Sequence, residues 1–278
     1  MKPLLKIADN NFGHGTSLGS GDLKIYPTYF QWYRGQDKYG DVVVLTDNYL
    51  QMVERYDEQI KVAWLLEPPA YSRSTYDWVA KNYNKFDYVL TYDAELLKAI
   101  PNGHVYFYGG CWIEYGDRRV YKKTKNISII VSDKKITEGH RLRHEIVEKF
   151  GSYVDVFGKQ YKPIHNKITA LRDYKYSIVI ENEKKENWFT EKLIDTIKTG
   201  TIPIYWGSPT IESQFDTKGM YEFSDMEALA GIVGSIANGE NRRVTEESIN
   251  NNFVTASQYC ITEDWLYRNF FKPKGILP

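Results

Sequence analysis

Short apolar runs separated by polar, turn-bearing stretches recur along the whole chain, and their lengths predict strands alternating with helices. In the first part Leu4–Ala8, Val42–Leu45, Lys61–Leu66, Tyr88–Thr91 and Val105–Tyr108 read as strands. Helical spacing fills Asn48–Arg55, Ser74–Asn82 and Asp93–Ala99, each opened by a residue able to cap it. Residues 114–126 carry Gly116, Arg118, Arg119 and a group of lysines without apolar periodicity, and read as a linker. A second series follows, with strands at Ile127–Val131, Tyr153–Phe157, Ser177–Glu181 and Ile202–Trp206 and helices at Glu138–Phe150, Thr190–Thr199 and Asp225–Asn238. This alternation predicts an α/β fold of two Rossmann-like domains on mostly parallel sheets. The expected division is 1–118, 119–255, and a C-terminal helix over 256–278 whose Trp265, Leu266, Phe270 and Phe271 pack back on the first domain. Two such domains facing one another would place a ligand in the cleft at the carboxyl ends of their strands.

Composition narrows the function classes. The 278 residues are 42% hydrophobic and 26% charged, a globular mixture rather than a disordered one. Basic and acidic side chains number 36 each, so no global field recruits nucleic acid or an anionic membrane, and nucleic acid is not an expected partner. The 23 tyrosines and 7 tryptophans suit carbohydrate or nucleoside contacts, although most belong to core and surface. Cys111 and Cys260 make neither a disulfide framework nor a zinc pattern and read as reduced thiols. With no leader-like start and no apolar run of about eighteen residues, a soluble, cytoplasmic protein without a membrane span is expected. The Asn126-Ile127-Ser128 triplet falls in a buried strand and is not read as a glycosylation site. Gly13–Gly21 is glycine-rich but misses the dinucleotide spacing, and reads as a loop.

The chemistry gathers in one segment. A strand ends in Glu181-Asn182, a charged loop Lys184-Lys185-Glu186-Asn187 follows, and Trp188-Phe189-Thr190-Glu191-Lys192 opens a helix. Thr190 suits the N-cap, the helix start with Lys192 would attract a diphosphate, and Glu191 could accept both hydroxyls of a ribose. Behind it, Gly200-Thr201-Ile202-Pro203-Ile204-Tyr205-Trp206-Gly207 is a strand bracketed by glycines.

Together, Glu181-Asn182, Phe189-Thr190-Glu191-Lys192 and Gly200-Thr201-Ile202-Pro203-Ile204 with Gly207 resemble the donor-binding motif of the glycosyltransferase family 10 α-1,3-fucosyltransferases. Several other stretches extend the resemblance over most of residues 60–215: Ser132-Asp133 with Gly139-His140-Arg141-Leu142-Arg143, Val154–Lys159, Glu67-Pro68-Pro69, Tyr92-Asp93, and Tyr108-Gly109. The resemblance implies a GT-B architecture and a GDP-sugar donor held by Asn182, Thr190, Glu191, Lys192, Arg143 and Phe189. It also implies a glycan acceptor whose hydroxyl is deprotonated by Glu67, and an inverting transfer of fucose from GDP-β-L-fucose with Arg143 stabilising the departing diphosphate. No Asp-x-Asp motif occurs, so no metal or other cofactor is expected to be required, although a non-essential divalent ion is compatible. Two alternatives stay open: a transferase using another nucleotide sugar or a non-glycan acceptor such as modified DNA, and a non-catalytic sugar-nucleotide binding module.

Overall fold

The computed structural model describes residues 2–9, 26–107, 109–239 and 244–278. The glycine-rich stretch Gly13–Gly21 and Tyr108 lie outside the described residues. The chain divides into two compact units, Met1–Gly110 with Ile261–Pro278, and Cys111–Cys260.

The first unit is built on a six-stranded parallel sheet of β1 (Leu4–Ala8), β2 (Gln31–Tyr33), β3 (Val42–Thr46), β4 (Ile60–Trp64), β5 (Tyr88–Thr91) and β6 (Gly103–Val105), in the order β2-β1-β3-β4-β5-β6. The five residues of β3, VVVLT, are all buried, as expected of a parallel strand covered on both faces. A 3₁₀ helix over Asp47–Arg55 and the helices α1 (Pro69–Asn82) and α2 (Ala94–Ala99) cover the sheet through Leu50, Val53, Tyr76, Val79 and Leu96. Asp93 caps α2 by accepting the Leu96 N–H at 2.8 Å. Helix α1 begins at Pro69, well before the predicted Ser74. Proline fits the first helical turn, where its missing N–H is no loss, and the break falls instead at Ser72, whose φ of −142° lies outside helical space.

The C-terminal segment completes this first unit. Its short helical turns Thr262–Leu266 and Tyr267–Phe271 set Trp265 edge-on to Tyr106, and Phe271 edge-on to Phe30 and Trp32. Polar contacts fix the register: Thr28 donates its N–H and hydroxyl to Asp264 at 2.7 and 2.6 Å, and the Trp32 indole N–H donates to Glu263 at 3.0 Å.

The second unit has a five-stranded parallel sheet of β7 (Lys125–Ile130), β8 (Asp155–Phe157), β9 (Tyr174–Ile180), β10 (Ile202–Trp206) and β11 (Tyr221–Glu222), in the order β11-β10-β9-β7-β8. Its helices are α3 (Glu138–Phe150), α4 (Ile168–Leu171), α5 (Glu191–Ile197), α6 (Met226–Ala237) and α7 (Glu246–Ala256). Ile129, Ile146, Ile178, Ile204, Leu229 and Val233 are among the residues of its core. Pro203 sits in the buried strand β10 without breaking it. The Trp206 carbonyl serves β9 and the Tyr205 carbonyl serves the β11 side, so by alternation Pro203 faces the β11 side at a point where β11 has not yet begun. Residues 111–118, expected to close the first domain, belong to the second unit. The Trp112 N–H donates to Asp195 at 2.6 Å, and Arg118 Nε donates to the Ile113 carbonyl at 2.9 Å.

Candidate donor site in the second unit

The chain leaves β7 toward β8 on one side and returns to β9 on the other, so the carboxyl ends of β7 and β9 form a topological switch point, where open α/β sheets bind ligands. Two helix starts converge there. Thr137 caps α3 in a reciprocal box with His140, whose ring is held neutral because burial, and then the nearby Arg143, lower its pKa to about 4. The Gly139 N–H donates to the Asn182 carbonyl at 3.1 Å, and a Cβ on Gly139 would lie 1.8 Å from the Glu181 carbonyl oxygen. Only glycine lets this helix approach the strand end so closely.

Glu181 is fully buried. Thr190 donates its N–H to one carboxylate oxygen at 2.9 Å and its hydroxyl to the other at 2.7 Å, and Lys192 Nζ lies 3.7 Å from the second. Burial still pushes the carboxyl above its ordinary range. Lys192 Nζ also donates to Thr190 Oγ1 at 3.0 Å and to Glu191 at 3.3 Å. Burial would raise the Glu191 carboxyl, but Lys192 and Lys167 outweigh it and bring the pKa down to about 2, so the group is an ionised acceptor throughout the physiological range.

Three further residues, none of them marked by a local motif, stand beside Glu191. Lys167 Nζ lies 3.5 Å from Glu191 and 2.8 Å from Asp195, and 4.2 Å from the centre of the Trp112 ring. Asp195, buried one helical turn after Glu191, accepts the Trp112 N–H with its other oxygen. These groups are 28 and 83 positions from Asp195 along the chain, and no local pattern signals contacts at that separation.

The predicted residues fall into different roles. Thr190, Glu191 and Lys192 lie together at the start of α5, and Asn182 follows Glu181, whose carboxylate Thr190 holds. Arg143 is buried and donates Nε to the Ile180 carbonyl at 3.2 Å and Nη2 to both that carbonyl and Asn182 Oδ1, the latter at 3.1 Å. Phe189, expected among the donor-binding residues, has a completely buried ring, edge-on to Phe215 and Tyr259, which anchors the start of α5.

Glu67 belongs to the first unit, where it is exposed just beyond β4. Its N–H and that of Leu66 donate to Asp47 Oδ1 at 3.3 and 2.9 Å, and its carbonyl accepts the Tyr76 hydroxyl at 2.9 Å. Asp47 holds a left-handed φ of 38°, and burial pushes its carboxyl up to about 6 against the pull of those two N–H groups.

The stretch that carries this site is also matched in comparison with known proteins. Residues 120–241 match the family described as glycosyltransferase family 10 (fucosyltransferase) C-term. Over 62 residues the chain is 39% identical to the α-(1,3)-fucosyltransferase FucT of Helicobacter pylori, covering 22% of this chain and 13% of that protein. Over 78 residues it is 31% identical to an α-(1,4)-fucosyltransferase of Arabidopsis thaliana, covering 27% and 19% respectively. The matched stretches thus span less than a fifth of either relative. The crystal structure of an α1,3-fucosyltransferase superposes with a TM-score of 0.56 at 17% identity, covering 95% of this chain and 91% of that one. The Anabaena protein HepE, solved in complex with UDP, superposes with a TM-score of 0.56 at 10% identity, covering 84% and 79%. At these identities the superpositions speak for the fold alone, which is GT-B. Residues 120–241, with the Glu191–Lys192 pair inside them, are thus the part of this chain that is similar to the C-terminal domain of glycosyltransferase family 10.

Proposed function

We propose that this chain is an inverting glycosyltransferase that moves fucose from GDP-β-L-fucose to a hydroxyl of a glycan acceptor. The observation that carries this reading is the Glu191–Lys192 pair at the start of α5, backed by the buried Glu181 and lying within the family-matched stretch. Glu191 is ionised and suited to accept the two ribose hydroxyls, and Lys192 presents a cation for the diphosphate. Arg143 steadies Asn182 and adds positive charge behind the diphosphate as it departs. Glu67 is the proposed general base: its carboxylate takes the acceptor proton as the hydroxyl attacks the anomeric carbon from the face opposite the diphosphate, giving the α linkage. In this reading protein cations do the work of a metal, and a divalent ion is not required. The free thiols Cys111 and Cys260 suit a cytoplasmic, reducing setting. Among the described residues no helix is long and apolar enough to cross a membrane.

A thermal-shift screen of nucleotide sugars tests the donor. Stabilisation by GDP and GDP-fucose, and not by UDP or CMP sugars, is the expected result. Stabilisation by UDP sugars alone would leave a transferase with a different donor. A module that binds GDP-fucose but neither transfers nor slowly hydrolyses it would not be an enzyme.

A further inference from the structure

Trp112 lies outside the family-matched residues 120–241, yet it is tied to the Glu191 site from two directions. Its N–H is fixed by Asp195, and the Lys167 ammonium, which contacts both Glu191 and Asp195, sits over its ring at 4.2 Å. The neighbours Cys111 and Ile113 are 1% and 0% exposed, and Arg118 holds the Ile113 carbonyl, so the backbone here is anchored on both sides. The Trp112 side chain is nevertheless 42% exposed. Lys167 occupies one face of the ring by a cation–π contact, and the residue's exposure leaves part of its surface available to a flat partner.

From this geometry we infer that Trp112 is the stacking platform for the base of the bound nucleotide, and that Lys167 and Asp195 are the positioning residues that set its ring. The inference rests on the placement of a nucleoside diphosphate at Glu191 and Lys192 proposed above. The Lys167 ammonium 3.5 Å from Glu191 is also 4.2 Å from the Trp112 ring centre, so with the ribose hydroxyls on Glu191 the indole is within reach of the base joined directly to that ribose. A stacked indole binds any base through its π face, and its two fused rings match a purine best. Donor binding therefore has two parts, with the sugar-phosphate portion held by α5 and the base supported by a residue 79 positions before Glu191 in the sequence.

The test uses GDP as the probe, calorimetry for affinity and tryptophan fluorescence for contact. Expected are quenching of the wild type by GDP, an affinity loss of about tenfold or more in Trp112→Ala, and recovery to within about threefold in Trp112→Phe. The Phe variant should lose most of the quenching while still binding, a signature that a merely structural tryptophan would not produce. Unchanged GDP affinity in Trp112→Ala, or full quenching retained in Trp112→Phe, overturns the assignment. Wild-type protein with no affinity for GDP overturns the proposed function, and this inference with it.

Discussion

Thr190 gives both its backbone N–H and its hydroxyl to the carboxylate of Glu181, one to each oxygen, at 2.9 and 2.7 Å. This pairing locks the turn before α5 to the end of β9. The first turn of α5, which carries Glu191 and Lys192, is therefore only as fixed as the buried carboxylate behind it. Thr190→Val keeps the shape and the N–H bond but leaves one Glu181 oxygen with Lys192 as its remaining partner. A loss of about 1–3 kcal/mol in denaturant unfolding is expected, with Thr190→Ser close to wild type. Equal losses in both variants would show that the hydroxyl is not what holds the turn.

Asp47 carries a pH dependence with a definite sign. Its carboxyl titrates near 6 when folded, above its ordinary 3.8, so its contribution to stability is fully present below the lower value and is lost as pH rises through the upper one. Asp47→Asn has no charge to bury, keeps an oxygen for the Leu66 N–H, and suits the left-handed backbone. Relative to wild type it should gain on the order of 2–3 kcal/mol at about pH 8 and little at about pH 4, measured by urea unfolding. A gain of the same size at both pH values would contradict the buried-charge explanation.

Gly139 and Gly231 make a matched pair. A methyl group at Gly139 meets the Glu181 carbonyl oxygen at 1.8 Å, a backbone atom that cannot rotate away, whereas one at Gly231, within α6, meets nothing within 4 Å. Gly139→Ala should destabilise by about 2 kcal/mol or more. Gly231→Ala should stabilise by up to about 1 kcal/mol through helix propensity. Two variants of similar stability would mean that α3 can shift away from the strand end at little cost.

Glu67→Gln separates chemistry from binding. The side chain is exposed, and the Glu67 N–H and carbonyl that bond to Asp47 and Tyr76 are kept by glutamine. Fucosyl transfer should fall to background while calorimetric GDP affinity stays within about twofold of wild type. Transfer that survives, or GDP affinity lost along with it, removes Glu67 as the base.

The elements legible in the sequence are those where local pattern and final burial agree. β1, β5, β10 and α3 fall where periodicity places them, and α3 has its cap in Thr137 and its aromatic end in Phe150. β2 was not legible, because its three residues Gln31–Tyr33 carry too little alternation to be read as a strand. β6 runs over Gly103–Val105 rather than from Val105 onward, since Tyr106 and Phe107 are not in strand conformation. In the candidate site, Thr190, Glu191 and Lys192 share one helix start and so were visible as a motif. The Lys167 and Trp112 contacts are made through space, as are those of Phe189 with Phe215 and Tyr259, and no local pattern reveals them.

The first unit is assembled from two separated pieces of chain, whereas the second is one uninterrupted stretch from Cys111 to Cys260. Cutting the chain after Cys260 would therefore not trim a dispensable tail. It would remove Asp264, Glu263 and Phe271 from Thr28, Trp32 and Phe30, stripping polar and aromatic partners from the start of the first sheet. The second unit is the piece suited to autonomous expression, and isolating the first calls for a designed connector from Gly110 to Ile261, so that the two ends of its split core stay on one polypeptide.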